Sequence, residues 1–180
     1  MVGMKTLESK RYIVEEKISY TPMIGRLLSM MEYTRLTTLE AVNDLTQEQL
    51  DYRIDGKGNS IGALLYHIAC LEEIYVITSL EARDPNEEEV QRLTVGLELG
   101  EKAHEEIHGK EIEFYKQQLE VVRKRTLELF KGIEDTWLDK VTPFGPEYLA
   151  NNYFKWFHVF EDELNHRGQI NLIRNHMKSK

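Results

Sequence analysis

The stretch Val159-Phe160-Glu161-Asp162-Glu163-Leu164-Asn165-His166-Arg167-Gly168-Gln169-Ile170 sits inside a run from Asn151 to Met177 that holds no proline and one glycine. Residues three, four, seven and eight apart share one face of a helix, so Val159, Ile170, Ile173 and Met177 fall on one apolar stripe together with His166. Asp162, Glu163 and Gln169 fall on the same stripe. An apolar face broken in its middle by Asp, Glu and His is costly to bury unless those groups pair, hydrogen-bond or hold a metal. Positions four apart are offset by about 40° and rise roughly 6 Å, so Asp162 and His166 can converge on one ion. His158 and His166, eight apart, are separated by about 12 Å along the axis and cannot.

The same three-and-four spacing extends outward along the chain. Only 4 prolines and 11 glycines punctuate it, and the segments between them read as helix. A first long helix is predicted from Pro22 to Asn43, with proline in the first turn where its missing N–H costs nothing, and with Leu27, Met31, Thr34, Thr38 and Val42 inward. Thr46-Gln47-Glu48-Gln49 fits a capping box for a short second piece. Asp55-Gly56-Lys57-Gly58-Asn59 reads as a turn. Ser60 is a candidate N-cap for a long helix to about Ala82, ended by Arg83-Asp84-Pro85-Asn86.

Residues 86 to 109, with acidic runs and three glycines, read as a long surface excursion with room for a short helix of its own. A further long helix is predicted from Lys110 to Lys131, with Ile112, Tyr115, Leu119, Val122, Thr126 and Leu129 inward and Gly132 as the stop. Pro143, Gly145 and Pro146 mark a loop, and the last helix opens near Asn151 or Asn152. The expected fold is all-α with four long helices in one domain over residues 21–180, behind an N-terminal extension over residues 1–20 whose conformation stays open.

Lys and Arg number 23 against 31 Asp and Glu, a net charge of −8, which argues against a nucleic-acid partner or an anionic membrane surface. Uninterrupted apolar runs are only a few residues long, so no membrane-crossing segment is expected. Met1-Val2-Gly3-Met4-Lys5-Thr6 leads into charged residues without the apolar core of a secretory signal, and Cys70 is the one cysteine; both point to a cytoplasmic protein.

His67 shares its helix face with Leu64, Leu71 and Ile74, so it points inward. If its helix packs beside the last one, His67, Asp162 and His166 form a His–His–carboxylate site with open positions, suited to Zn, Ni or Fe. Taken alone, His67 also reads as a half-buried histidine with one hydrogen bond, and Asp162 with His166 as an ordinary i, i+4 ion pair. His104 and His108 have metal-pair spacing but lie in the charged excursion and read as solvated loop. Cys70 reads as a small buried side chain, His176 as a partner of the helix dipole, and Glu87-Glu88-Glu89 as solvent-facing. Trp137, Phe154, Trp156, Phe157 and Phe160 read as core or interface.

Gly58-Asn59-Ser60-Ile61-Gly62-Ala63-Leu64-Leu65-Tyr66-His67-Ile68 and Glu161-Asp162-Glu163-Leu164-Asn165-His166-Arg167-Gly168-Gln169-Ile170 resemble the DinB/YfiT-like family, as does the link Leu45-Thr46-Gln47-Glu48-Gln49-Leu50-Asp51. The likeness runs from about residue 20 to 177, and His-Arg-Gly-Gln is its most specific piece. It implies a four-helix bundle, usually a homodimer, with a divalent-metal site of one histidine from the second helix and two residues four apart on the last. His67 and His166 match the outer two. Asp162 stands where the family often has histidine, which shifts the site toward oxygen ligation.

Relatives in that family include metal-dependent S-transferases that use low-molecular-weight thiols and a mycothiol-dependent isomerase. The expected function is therefore a divalent-metal enzyme that activates a thiol, or water, for attack on a small-molecule electrophile. Glu163 is the candidate general base or the carboxylate that orients a ligand histidine, and Tyr66 and Tyr75 are candidates for the substrate pocket. Two alternatives remain: a hydrolase using metal-bound water, and a non-enzymatic dimeric bundle whose polar groups fix helix register.

Overall fold

A computed structural model describes residues 12–145 and 147–179. The reading of Met1 to Thr6, and that of Pro146 as a loop residue, lie outside the described residues. Among the described residues there are seven α-helices: α1 Pro22–Val42, α2 Gln47–Asp51, α3 Ile61–Tyr75, α4 Glu87–Glu98, α5 Gly100–Ile107, α6 Ile112–Phe130 and α7 Asn152–Lys178. A two-stranded antiparallel hairpin, β1 Val141–Phe144 with β2 Tyr148–Asn151, precedes α7 and pairs Val141 with Asn151. The predominantly α fold is as expected. The hairpin is a correction: its four-residue strands leave Val141, Tyr148 and Leu149 exposed, so no alternating apolar signal marks them.

Capping accounts for most of the helix starts. Thr46 and Gln49 make the expected capping box at α2, Ser60 Oγ accepts from Ala63 N at 3.2 Å at α3, and Asn151 accepts from Phe154 N at 2.8 Å at α7. The inward residues of α1 are buried as predicted. On α6 Phe130 rather than Leu129 is buried in the last turn.

The helix expected to reach Ala82 instead widens after Tyr75 into a π-turn over Val76–Leu80. Thr78 and Ser79 hydroxyls donate to the carbonyls of Ile74 and Tyr75 at 2.7 and 2.6 Å, and this back-bonding competes with the regular ladder.

Residues 86–109 are likewise no surface excursion. Asn86 and Glu89 cap each other reciprocally at 2.9 Å, three glutamates complement the α4 dipole, and α4 and α5 meet where Leu99 and Gly100 both have positive φ. Leu93, Val95, Ala103 and Ile107 are buried, so the pair covers α3 as part of the core.

The four long helices close a ring in which α1 packs on α7, α7 on α3, α3 on α6 and α6 on α1. Two apolar clusters fill it, one around Ile24, Phe130 and Trp156, the other around Leu64, Leu65, Tyr115 and Ile170. The helical stretch Ile61–Leu80 is long and apolar enough to cross a membrane by composition, but 72% of it is buried inside the fold, where a central helix must be apolar on every side.

Between the two clusters along the chain lies a buried ionic network that ties all four helices together. Arg35 of α1 bonds both Glu163 oxygens, through Nε at 2.9 Å and Nη2 at 3.1 Å, and also reaches Glu72 of α3 at 2.9 Å. Arg123 of α6 pairs with Glu72 at 2.7 and 3.0 Å, and Thr126 adds a bond at 2.8 Å. Remaining guanidinium donors go to the carbonyls of Leu119 and Met31 at 2.9 and 3.1 Å. Two arginines face two glutamates, so the charge closes to zero inside the core.

Candidate metal site

Ser60 sets the start of α3, and its seventh residue onward, His67, reaches the seam with α7. There His67, Asp162 and His166 come together, and among the described residues they are the one group of this kind with ligand atoms within 4.8 Å of one another. Both histidines are 8% exposed. The rings stand edge to face with centroids 4.7 Å apart. His67 Nε2 lies 3.3 Å and His166 Nε2 3.4 Å from the same oxygen, Asp162 Oδ2.

Neither contact has the alignment of a regular hydrogen bond, and Oδ2, like His166 Nδ1, is buried without another partner. The far side of His67 explains why. Its Nδ1 lies 2.9 Å from the carbonyl of Gly96 in α4. A carbonyl only accepts, so Nδ1 carries the hydrogen, and in neutral His67 the Nε2 lone pair faces the carboxylate. Two lone pairs directed at each other across 3.3 Å repel unless a proton or a metal cation lies between them.

A divalent ion meets that requirement. Donors about 2.0–2.1 Å from one tetrahedral ion stand about 3.3–3.4 Å apart, the spacing found here from Oδ2 to each nitrogen. Two imidazoles and one carboxylate also form a donor set suited to Zn, Ni or Fe, and the Nδ1–H to carbonyl bond is the usual orienting contact of a ligand histidine. The residues present therefore fit the group.

The three groups are electrostatically coupled, and a proton on His166 would compete with a metal ion. Burial works to raise the Asp162 pKa, yet His166 and His67 hold its carboxyl well below the usual range. Burial works against a charged His166, yet Asp162, with Gln169 and Glu161 behind it, raises its pKa. Tyr75 has its pKa pushed up to about 12 by burial and by the Asp162 charge, so its hydroxyl keeps its proton beside the trio.

Other expected residues lie elsewhere. Glu163 points from the opposite side of α7 into the ionic network, with both oxygens bonded to Arg35 and none of its surface exposed. Its carboxylate is held by Arg35 and bonds no ligand histidine. Tyr66 faces Cys70 and Arg92 on another side of α3. Cys70 is buried, its thiol pushed up to about 12 by desolvation. His158 pairs with Glu161 at 3.2 Å and stacks on Phe154, outside the trio. His104 and His108 sit at α5 rather than in a loop, without a third ligand among the described residues. Phe154 and Phe157 are exposed, whereas Trp156 is fully buried.

Sequence reasoning missed Gly96, Arg35 and Glu72. For Gly96 no signal was readable, because a carbonyl acceptor has no side chain. Arg35 and Glu72 did leave one: each lies at helical spacing from inward-facing neighbours, Met31 and Thr38 for Arg35, Ile68 and Tyr75 for Glu72.

The family model for mycothiol-S-transferase matches residues 26–179. No curated protein matches the chain. The match spans α1 to the end of α7 and so includes every residue of the trio. With the helical fold and the His–Asp–His group at the α3–α7 seam, this places the chain in the mycothiol-S-transferase family, one of the DinB/YfiT-like families.

Proposed function

We propose that this protein is a divalent-metal-dependent S-transferase that joins a low-molecular-weight thiol to a small electrophile, with His67, Asp162 and His166 as the metal ligands. The observation that carries this is the pair of 3.3 and 3.4 Å contacts converging on a buried Asp162 oxygen that has no hydrogen-bond partner. When bound, a divalent ion supplies Lewis acidity that lowers the pKa of a thiol or water in its open position.

The chain's own residues do the rest. The Gly96 carbonyl fixes the His67 tautomer so that Nε2 offers its lone pair. Asp162 contributes a charge that favours a cation, and Tyr75 offers a protonated hydroxyl near it. Glu163 acts as a positioning residue, holding through Arg35 the helix that carries Asp162 and His166. A register-fixing polar network is less favoured for the trio, since such a network needs its buried atoms satisfied and two here are not.

The test is zinc-loaded and chelator-treated protein assayed with small thiols and 1-chloro-2,4-dinitrobenzene. The expected result is thioether formation that needs metal and disappears in His166→Ala. Equal rates with and without metal across the thiols would contradict the proposal.

A further inference from the structure

We propose that a cavity lined by neighbours of the trio is a binding site for the carboxylate of a small organic ligand, anchored by Lys155. The cavity has a volume of about 670 Å³ and lies between Leu71 and Tyr75 of α3, Leu97 of α4, Thr142 and Phe144 of β1, and Lys155 of α7. That is the size of a small-molecule pocket, with apolar residues on its inner walls and charged ones at its mouth. Three of its lining residues are linked to the trio by position or charge: Leu71 is one turn beyond His67, Leu97 follows the Gly96 that bonds His67, and Tyr75 feels the charge of Asp162.

Lys155 is the unusual group in this wall. It is 5% exposed, and among the described residues no carboxylate lies within 4.0 Å of its ammonium. Its partners are two neutral acceptors, Thr142 Oγ1 at 2.5 Å and the Pro143 carbonyl at 3.0 Å. An ammonium has three N–H donors, so one remains. Desolvation lowers its pKa, as expected for a buried cation without a counter-charge. Arg83 at the cavity mouth differs: Glu89 and Glu81 balance it at 2.7 and 2.9 Å, and Asp84 beside it is exposed.

A buried cation that keeps a free donor, facing a cavity whose other charged residues, Arg83 and Asp84, are exposed at its mouth, calls for a ligand with one negative charge. A carboxylate provides that charge and accepts the third N–H. The seven residues from Lys155 to Asp162 span about 10 Å along α7. A ligand with its reacting group at the trio and its carboxylate at Lys155 therefore needs a spacer of about that length, lying on Leu71, Leu97 and Phe144. This extension rests on the trio being a thiol-binding metal centre; the carboxylate site does not.

The experiment separates the two. Wild type, Lys155→Met and Lys155→Arg, each in chelator-treated and zinc-loaded form, are titrated with 8-mercaptooctanoate and 8-mercapto-1-octanol, and dissociation constants are read from NMR shifts. Chelator-treated wild type is expected to bind the acid about tenfold more tightly than the alcohol, equivalent to about 1.4 kcal/mol. Lys155→Met should bind both alike, and Lys155→Arg should keep most of the preference.

Equal affinity of wild type for acid and alcohol overturns the inference and needs no variant to fold. So does a preference that survives in Lys155→Met. Tightening of both thiols by zinc without a carboxylate preference leaves the metal proposal standing and removes this one. A Lys155-dependent preference without any effect of zinc does the reverse.

Discussion

At position 96 only a hydrogen fits. A Cβ there would stand 2.5 Å from Cys70 Sγ and 3.0 Å from the Tyr66 ring, so α4 can lie against α3 only because residue 96 is glycine. That close approach brings the Gly96 carbonyl to His67 Nδ1. Gly96→Ala is expected to push α4 away, release the His67 ring and weaken zinc affinity about 10- to 100-fold, measured by competition with a chromogenic chelator. Cys70→Ala in the same chain removes the nearest clash and should recover part of the loss. Unchanged affinity in Gly96→Ala would mean that the carbonyl does not orient the ligand. Neighbouring Glu163 carries a related lesson: one position after Asp162, the helix turn directs it to a different partner, Arg35.

The four long helices are held in relation to one another by the Arg35–Glu163 and Arg123–Glu72 network as well as by apolar packing. Removing one member of a buried pair leaves its partner uncompensated, so Arg35→Met is expected to cost about 3–5 kcal/mol in urea unfolding. Glu72 gives the network a pH signature. Burial would raise its pKa, but Arg123 and Arg35 lower it to about 2 from an ordinary 4.5. A carboxylate depressed in the folded state contributes stability that is intact above the unfolded pKa and is lost as pH falls through the folded one. The stability gap between wild type and Glu72→Gln should therefore be constant near neutral pH and narrow from about pH 4.5 toward pH 2, as read from urea midpoints. On α4, Asn86→Ala should cost about 1 kcal/mol through loss of the capping box.

Across the molecule, the sequence made helices, caps and two faces of the trio readable because each rests on short-range spacing: Ser60 before an apolar run, Asp162 four before His166. The hairpin, the π-turn and the packing of α4 on α3 depend on contacts made at a distance, by Lys155 to β1 and by Trp156 Nε1 to Ser79 Oγ at 3.0 Å. The ionic network was half readable, since charges at apolar positions were present on each helix but nothing local paired them. What the fold adds is convergence: α3 and α7 meet so that one carboxylate oxygen lies 3.3 and 3.4 Å from two imidazole nitrogens. The most direct test of that convergence is elemental analysis of wild type, His67→Ala, Asp162→Ala and His166→Ala after equilibration with zinc and gel filtration, with circular dichroism to verify folding. One zinc per wild-type chain, lost in each folded variant, is predicted. A wild type without zinc, or variants that retain it, would contradict the metal site.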